Sequence, residues 1–167
     1  MSKDVIRIQP ASPSDVPLIL KFIRDLAEYE KLSDMVVATE ENIREHLFGP
    51  NPVAEALLAF WNDAPVGFAL YFRNFSTFLA KPGIYLEDLF VEPAYRGKGI
   101  GKALLVRLAE IAVERGYGRL EWAVLDWNTP SIEFYRNLGA IAKHEWTIFQ
   151  VTGDELVRLA GRDRGRA

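Results

Sequence analysis

Two carboxylates, Glu87 and Asp88, sit side by side in the apolar run "IYLEDLFV", and shortly after them comes "RGKGIG", with glycines at 97, 99 and 101. Carboxylates inside an apolar strand are costly unless they have work or partners. The work that suits them is binding a cation or taking a proton from it. The structural alternative is an edge strand with one solvated face. Regular strand geometry points Glu87 and Asp88 to opposite faces.

Three alternating glycines give up much backbone entropy, more than a plain turn warrants. Bare backbone at a helix N-terminus is suited to an anion such as a pyrophosphate, because unpaired N–H groups and the helix dipole both favour negative charge. Arg96, Lys98 and Lys102 add positive charge there. A dinucleotide fingerprint fails because Lys102 stands where its third glycine belongs. A phosphate loop of the G-x-x-x-x-G-K-[ST] type fails because Ala103 follows Lys102.

The elements that must hold these groups follow from periodicity. "VIRI" (5–8) reads as a strand. The next stretch places Val16, Ile19, Leu20, Ile23, Leu26 and Ala27 on one helical face, with Ser14 as the favoured cap because Pro17 then falls in the first turn. A second helix, "EENIREHLF", starts from Thr39. Residues 53–61 and 65–75 form a hairpin joined by "NDA", "LAKPG" is a loop, and 84–91 is the next strand. The helix after the glycines buries Leu104, Leu105, Leu108, Ile111 and Ala112. A strand over 119–125, a helix over 128–139 capped by Asn128 or Thr129, and a final hairpin from "AIAKHE" and "WTIFQV" complete the chain. The expected fold is α/β, one domain over 4–160 with a mixed, mostly antiparallel sheet flanked by helices, in the order β-α-α-β-β-β-α-β-α-β-β. Residues 161–167 read as a flexible tail.

Composition narrows the classes. The chain has 167 residues, 49% hydrophobic and 26% charged, with a net charge of −3. That balance disfavours nucleic acid as a partner. With no cysteine there is no thiolate nucleophile, disulfide or Cys-ligated metal. His46 and His144 read as surface residues without a third ligand, so no metal is expected. No apolar run reaches the roughly 18 residues of a membrane span, and the start of the chain lacks a signal-peptide core. A cytoplasmic protein is expected.

The string "RGKGIG" resembles the (Q/R)-x-x-G-x-(G/A) motif of the GCN5-related N-acetyltransferases. "YLEDLFV", "AYRGKGIG" and "WNTPSIEFY" are similar to the spermidine/spermine N-acetyltransferase branch of that superfamily, as is "LAEYE" at the end of the first helix. The resemblance spans roughly residues 4 to 150. It implies acetyl-CoA as co-substrate. Its contacts would be Leu89, Phe90 and Val91 on the strand, Arg96, Gly97, Lys98, Gly99, Ile100, Gly101 and Lys102 at the turn, and Asn128, Thr129, Pro130, Ser131 and Tyr135 further on. Asn128 reads equally as a plain helix cap. The resemblance also implies Glu87 as the group assisting amine deprotonation and Tyr135 as the proton donor to the departing thiolate. Tyr29, Glu30, Glu87, Asp88, Glu121, Trp122, Ala123 and Glu145 would line the amine site. The implied substrate is a small primary amine, with a diamine or polyamine first, a lysine-like amino acid such as thialysine second, and a CoA-binding module without turnover as the alternative of another class. An amino acid would also need a cation for its carboxylate, for which Arg73 and Lys81 are sequence neighbours. A homodimer is implied by the resemblance alone.

Overall fold

The computed structural model describes residues 4–161 and divides between Ala123 and Val124 into two compact units. The first unit carries β1 (Ile6–Pro10), α1 (Val16–Tyr29), α2 (Glu40–Phe48), β2 (Glu55–Trp61), β3 (Ala64–Ser76), β4 (Lys81–Val91), α3 (Ile100–Glu114) and β5 (Leu120–Trp122). The second carries α4 (Thr129–Asn137) and α5 (Gly153–Leu159). The tail expected over 161–167 lies, from 162 onward, outside the described residues.

The five strands stand in chain order in one sheet. β1 to β4 pair antiparallel, and β5 joins β4 in parallel after the crossover through α3. The β2–β3 joint is a two-residue turn at Asn62 and Asp63, both at positive φ (47° and 68°), the backbone a tight hairpin demands. Both faces of the sheet are covered. On one, α1 and α2 pack Val16, Ile19, Phe22, Leu26 and Ile43 against Ala56, Leu58, Phe68 and Phe90. The other takes the alternate strand residues, such as Leu57, Ala59, Ile84 and Leu86, and the buried stripe of α3 at Leu104, Leu105, Leu108, Ile111 and Ala112. Within α1 the buried aromatic is Phe22, stacked at 5.7 Å on Phe68, while the expected core residue Ile23 is only partly buried.

Several local expectations need correction. The N-cap of α1 is Asp15, not Ser14, because the chain first makes a short 3₁₀ turn. The Asp15 carboxylate accepts from the Ser12 N–H at 2.7 Å and the Ser12 hydroxyl at 2.8 Å, so it satisfies donors a lone serine would leave open. Pro17 still falls in the first turn. β4 begins at Lys81, so most of "LAKPG" is strand. β5 is only three residues long.

The final hairpin does not form. Residues 140–152 contain no strand, and α5 follows instead. Ile141, Trp146, Ile148 and Phe149 are all exposed, so the alternation that suggested strands buries neither face. The observed element order therefore ends in a helix rather than in the two expected strands.

Candidate active site

The register of β4 on β3 is broken at one point. Tyr71 faces Leu86 and Leu70 faces Asp88, which leaves Glu87 as an extra residue, a β-bulge. The alternation expected from a regular strand therefore fails at this position. Asp88 takes the face of Leu70, which packs against the α1 cluster. Glu30, the C-cap of α1, lies close enough to act on Asp88. Burial pushes the Asp88 carboxyl up to about 7, with Glu87 and then Glu30 adding to the rise. Burial also raises Glu30. Glu87 is exposed. The site therefore joins Glu30, Glu87 and Asp88 into one electrostatic group, its buried member poised near neutral pH.

Parallel pairing between β4 and β5 ends at Leu86 with Trp122. Beyond it, no strand among the described residues pairs with that edge of β4. Phe90 O faces Gly67 and the Glu92 N–H donates to Val66 O, both on the β3 side. By alternation, the N–H and C=O groups of Leu89 and Val91 point to the open edge. The Arg96 Nε–H donates to Val91 O at 2.9 Å.

The glycine turn follows. Gly97 and Gly99 have φ of 75° and 86°, in the left-handed region that favours glycine, and Gly99 caps α3. α3 begins at Ile100, two residues before the position read from the sequence, because Ile100 is itself a fully buried anchor. A Cβ built at Gly97 would meet nothing within 4 Å, and one at Gly99 only Ile6 Cδ1 at 4.0 Å. The concave backbone thus opens outward, beside the unpaired first N–H groups of a fifteen-residue helix. These residues fit a pyrophosphate. Arg96 does not point into this turn as a lone cation: its guanidinium lies 4.4 Å over the Tyr29 ring and 5.7 Å from Phe90. Lys102 is exposed at the turn, and Lys98, also exposed, packs over Trp61 at 5.1 Å.

β5 brings a second polar group to the α1 face of the sheet. Glu121 is in register with Tyr85, which stacks on Phe72 at 5.2 Å. Trp122 is in register with Leu86 and so faces the other side, and Ala123 is exposed. Asn74 Nδ2 donates to Glu121 Oε1 at 2.8 Å, and Arg119 Nε lies 3.3 Å from Glu121 Oε2. Burial raises the Tyr85 phenol, with Glu87 and Glu121 adding to the rise. Asn74 and Arg119 carried no signal in the sequence. Of the cations weighed there, Arg73 faces the α3 side in register with Ile84, while Lys81 is exposed at the start of β4.

The remaining expected residues lie in the second unit. Asn128 is buried and caps α4, its Oδ1 accepting from the Ser131 N–H at 3.4 Å, so the plain capping role is real. Thr129, Pro130 and Ser131 form the first turn of α4. Tyr135 is half-buried, its ring 5.4 Å from that of Phe134. Glu145 is exposed, 3.5 Å from Lys143, and its own backbone N–H holds its carboxyl below the usual range.

A cavity of ≈210 Å³ elsewhere in the first unit is lined by Glu55, Tyr71, Arg107 and Arg115 among others. Its charges are consumed internally. Arg115 grips Glu55 with two bonds of 2.6 and 2.8 Å, the Tyr71 hydroxyl donates to Glu55 at 3.3 Å, and Arg107 pairs with Glu110 and Glu114. Burial first, then Glu55, pushes Tyr71 up to about 12, so it stays protonated. This is a structural network.

A family model described as "Acetyltransferase (GNAT) family" matches residues 21–140. The chain belongs to the GNAT acetyltransferase family. It is 40% identical to the thialysine N-epsilon-acetyltransferase of Sus scrofa, over 94% of this chain and 98% of that protein. It is 36% identical to the L-ornithine N5-acetyltransferase NATA1 of Arabidopsis thaliana, covering 90% and 86%. It is 34% identical to a human spermidine/spermine N(1)-acetyltransferase-like protein, over 95% of this chain and 24% of that one. Among solved structures, an integron cassette protein from the mobile metagenome of V. cholerae superposes with a TM-score of 0.77 at 29% identity, covering 93% and 97%. This GNAT protein is an N-acetyltransferase acting on amines, and members of its family use acetyl-CoA as co-substrate. No helix among the described residues is long and apolar enough to cross a membrane.

Proposed function

We propose that this protein transfers an acetyl group from acetyl-CoA to a terminal primary amine of a small linear cation, within one domain over 4–160, as the expected cytoplasmic homodimer. The observation that carries the reading is the Asp88 carboxyl, held up to about 7 beside Glu87 on the α1 face of β4. An alkyl ammonium, with a pKa of about 10.4, must lose a proton before it can attack. A carboxylate poised near neutral pH is suited to accept it. Glu87 and Asp88 act as one unit in this reading: exposed Glu87 meets the ammonium and Asp88 behind it takes the proton, with Tyr29 and Glu30 completing the acidic wall.

Acetyl-CoA supplies an activated thioester. Gly97 to Lys102 hold its pyrophosphate, and the outward N–H groups of Leu89 and Val91 align its arm and polarise the carbonyl. The amine nitrogen bonds to the carbonyl carbon and the carbon–sulfur bond breaks. The Tyr135 hydroxyl gives its proton to the departing sulfur, and the proton shed by nitrogen as the amide forms replaces it. The role of Tyr135 rests on the "NTPSIEFY" string, as do those of Asn128 to Ser131 and Glu145. The acidic wall accommodates a polyamine and the side chain of a basic amino acid alike, and relatives are named for thialysine, ornithine and spermidine/spermine.

The test is a panel of amines with acetyl-CoA, scored by thiol release. Turnover with linear diamines or basic amino acids, and none with neutral amides, is the expected result. Binding of CoA without turnover on any amine would leave a binding module.

A further inference from the structure

We infer that Arg96 is a positioning residue: it ties the end of α1 that faces the amine to the edge of β4 that takes the acyl donor, and it does not bind the cofactor's pyrophosphate. This deepens the proposed function and rests on it.

Arg96 directly precedes the glycine turn and is exposed. A cation at that place is free to turn toward a phosphate, yet the side chain is committed in the other direction. Its Nε–H donates to Val91 O at 2.9 Å, and its guanidinium lies 4.4 Å over the Tyr29 ring and 5.7 Å from that of Phe90. The two kinds of contact use different parts of one flat group. A guanidinium donates in its plane while its face rests on a ring, which the point charge of an ammonium cannot do.

Each contact serves one side of the reaction. Val91 lies on the edge of β4 beyond the last β5 pairing, which ends at Leu86. The N–H and C=O of one strand residue point the same way. Arg96 therefore occupies the Val91 carbonyl and leaves the Val91 N–H to the incoming arm, which sets how far along the edge the donor can pair. Tyr29 is the last residue of α1, next to the C-cap Glu30. Glu30 in turn acts on Asp88, three residues before Val91 on β4. The path from Arg96 through Tyr29 and Glu30 to Asp88 thus returns along β4 to Val91, and Arg96 closes the circuit between the two elements. A misplacement of about 1 Å between reacting groups costs roughly 100-fold in rate, so a brace between them has a measurable effect. A separate tie joins the same elements without touching this circuit: Lys21 Nζ lies 3.0 Å from Glu92 Oε1, just past the end of β4.

Glutamine separates the two contacts of Arg96. Its amide nitrogen is as many bonds from Cα as Arg Nε is, so Arg96→Gln can still donate to Val91 O but has no cation over Tyr29. The experiment uses the full-length enzyme with acetyl-CoA and the fastest of spermidine, 1,4-diaminobutane and L-ornithine. In Arg96→Gln the Kd for CoA by calorimetry should stay within about threefold of wild type, while kcat/KM for the amine falls about 10- to 100-fold. Tyr29→Leu should show a loss of the same kind. The double variant of Arg96→Gln and Tyr29→Leu should be no worse than Tyr29→Leu alone, because the two side chains act as a unit. Lys21→Met breaks the separate tie and should leave both constants unchanged, which distinguishes positioning from a general loosening of α1.

A loss of CoA affinity of about tenfold or more in Arg96→Gln would make Arg96 a phosphate ligand and overturn the proposal. Additive losses in the double variant, wild-type constants in Arg96→Gln, or the same defect in Lys21→Met would overturn it equally, while the acetyltransferase reading stands. Absence of wild-type turnover on every amine overturns both. If Arg96→Gln fails to fold, Arg96→Lys, which keeps the charge but not the flat face, decides by the same constants.

Discussion

Asn74 on β3 reaches across β4 to Glu121 on β5, and Gly83 is what lets it pass. A Cβ at Gly83 would lie 2.7 Å from Asn74 Oδ1 and 2.7 Å from Arg119 Cγ. Gly83 has no left-handed φ, so its need for a bare backbone comes from space alone. Gly83→Ala should therefore push both side chains aside. A loss of about 1–3 kcal/mol in unfolding free energy is expected, typical of overpacking, together with a raised KM for the amine and an unchanged Kd for CoA. Denaturant unfolding and calorimetry check it, and an unaffected amine KM would detach this cluster from the substrate.

Asp88 gives a pH signature in both rate and stability. Its folded pKa, about 7, lies above the ordinary value of 3.8. The folded protein thus holds the proton more tightly than the unfolded chain, and Asp88 costs stability progressively from about pH 4 to pH 7, with no further change above. Asp88→Asn should raise Tm by an amount that grows over that interval and then levels off. The rate should behave in the opposite sense: wild-type kcat should climb through an apparent pKa near 7, and Asp88→Asn should lose that limb. A kcat profile in Asp88→Asn that keeps the same limb would assign it to another group.

Glu87→Gln probes the exposed half of the pair. Its defect should ease as pH rises, because more of the amine is then already deprotonated. A loss independent of pH between 7 and 10 would mean that Glu87 binds the cation without aiding proton removal.

Gly97 and Gly99 separate backbone strain from cofactor contact. Alanine at either position costs about 1–2 kcal/mol through its left-handed φ, and its methyl group meets no protein atom closer than 4.0 Å. The methyl instead enters the space given to the pyrophosphate. CoA affinity in calorimetry should fall at least tenfold for variants that remain folded. Undiminished affinity in both would remove the cradle.

Tyr135→Phe retains the ring that packs at 5.4 Å against Phe134 and removes only the hydroxyl. We expect kcat to drop about 10²- to 10⁴-fold, the usual contribution of an acid–base group, with Tm and the Kd for CoA little changed. Near-normal kcat would return Tyr135 to a packing role.

What the sequence determined by itself is local. The glycine turn, the Thr39 and Asn128 caps, the buried stripe of α3 and the Asn62–Asp63 turn depend on torsion angles and neighbours within a few residues, so residue type and spacing suffice to read them. The same short-range rules misled at residues 140–152, where alternation suggested a hairpin but no layer covers either face. Tertiary structure decided the rest of the site. The bulge that turns Glu87 and Asp88 into one group is a property of register between β3 and β4. Asn74 and Arg119 join Glu121 only because β3, β4 and β5 lie side by side with a glycine between them. Arg96 leaves the phosphate turn for Tyr29 and Val91 because α1 ends beneath it. Each of these depends on contacts between residues far apart in the chain, and their energies arise from burial and register, which no single stretch of sequence contains.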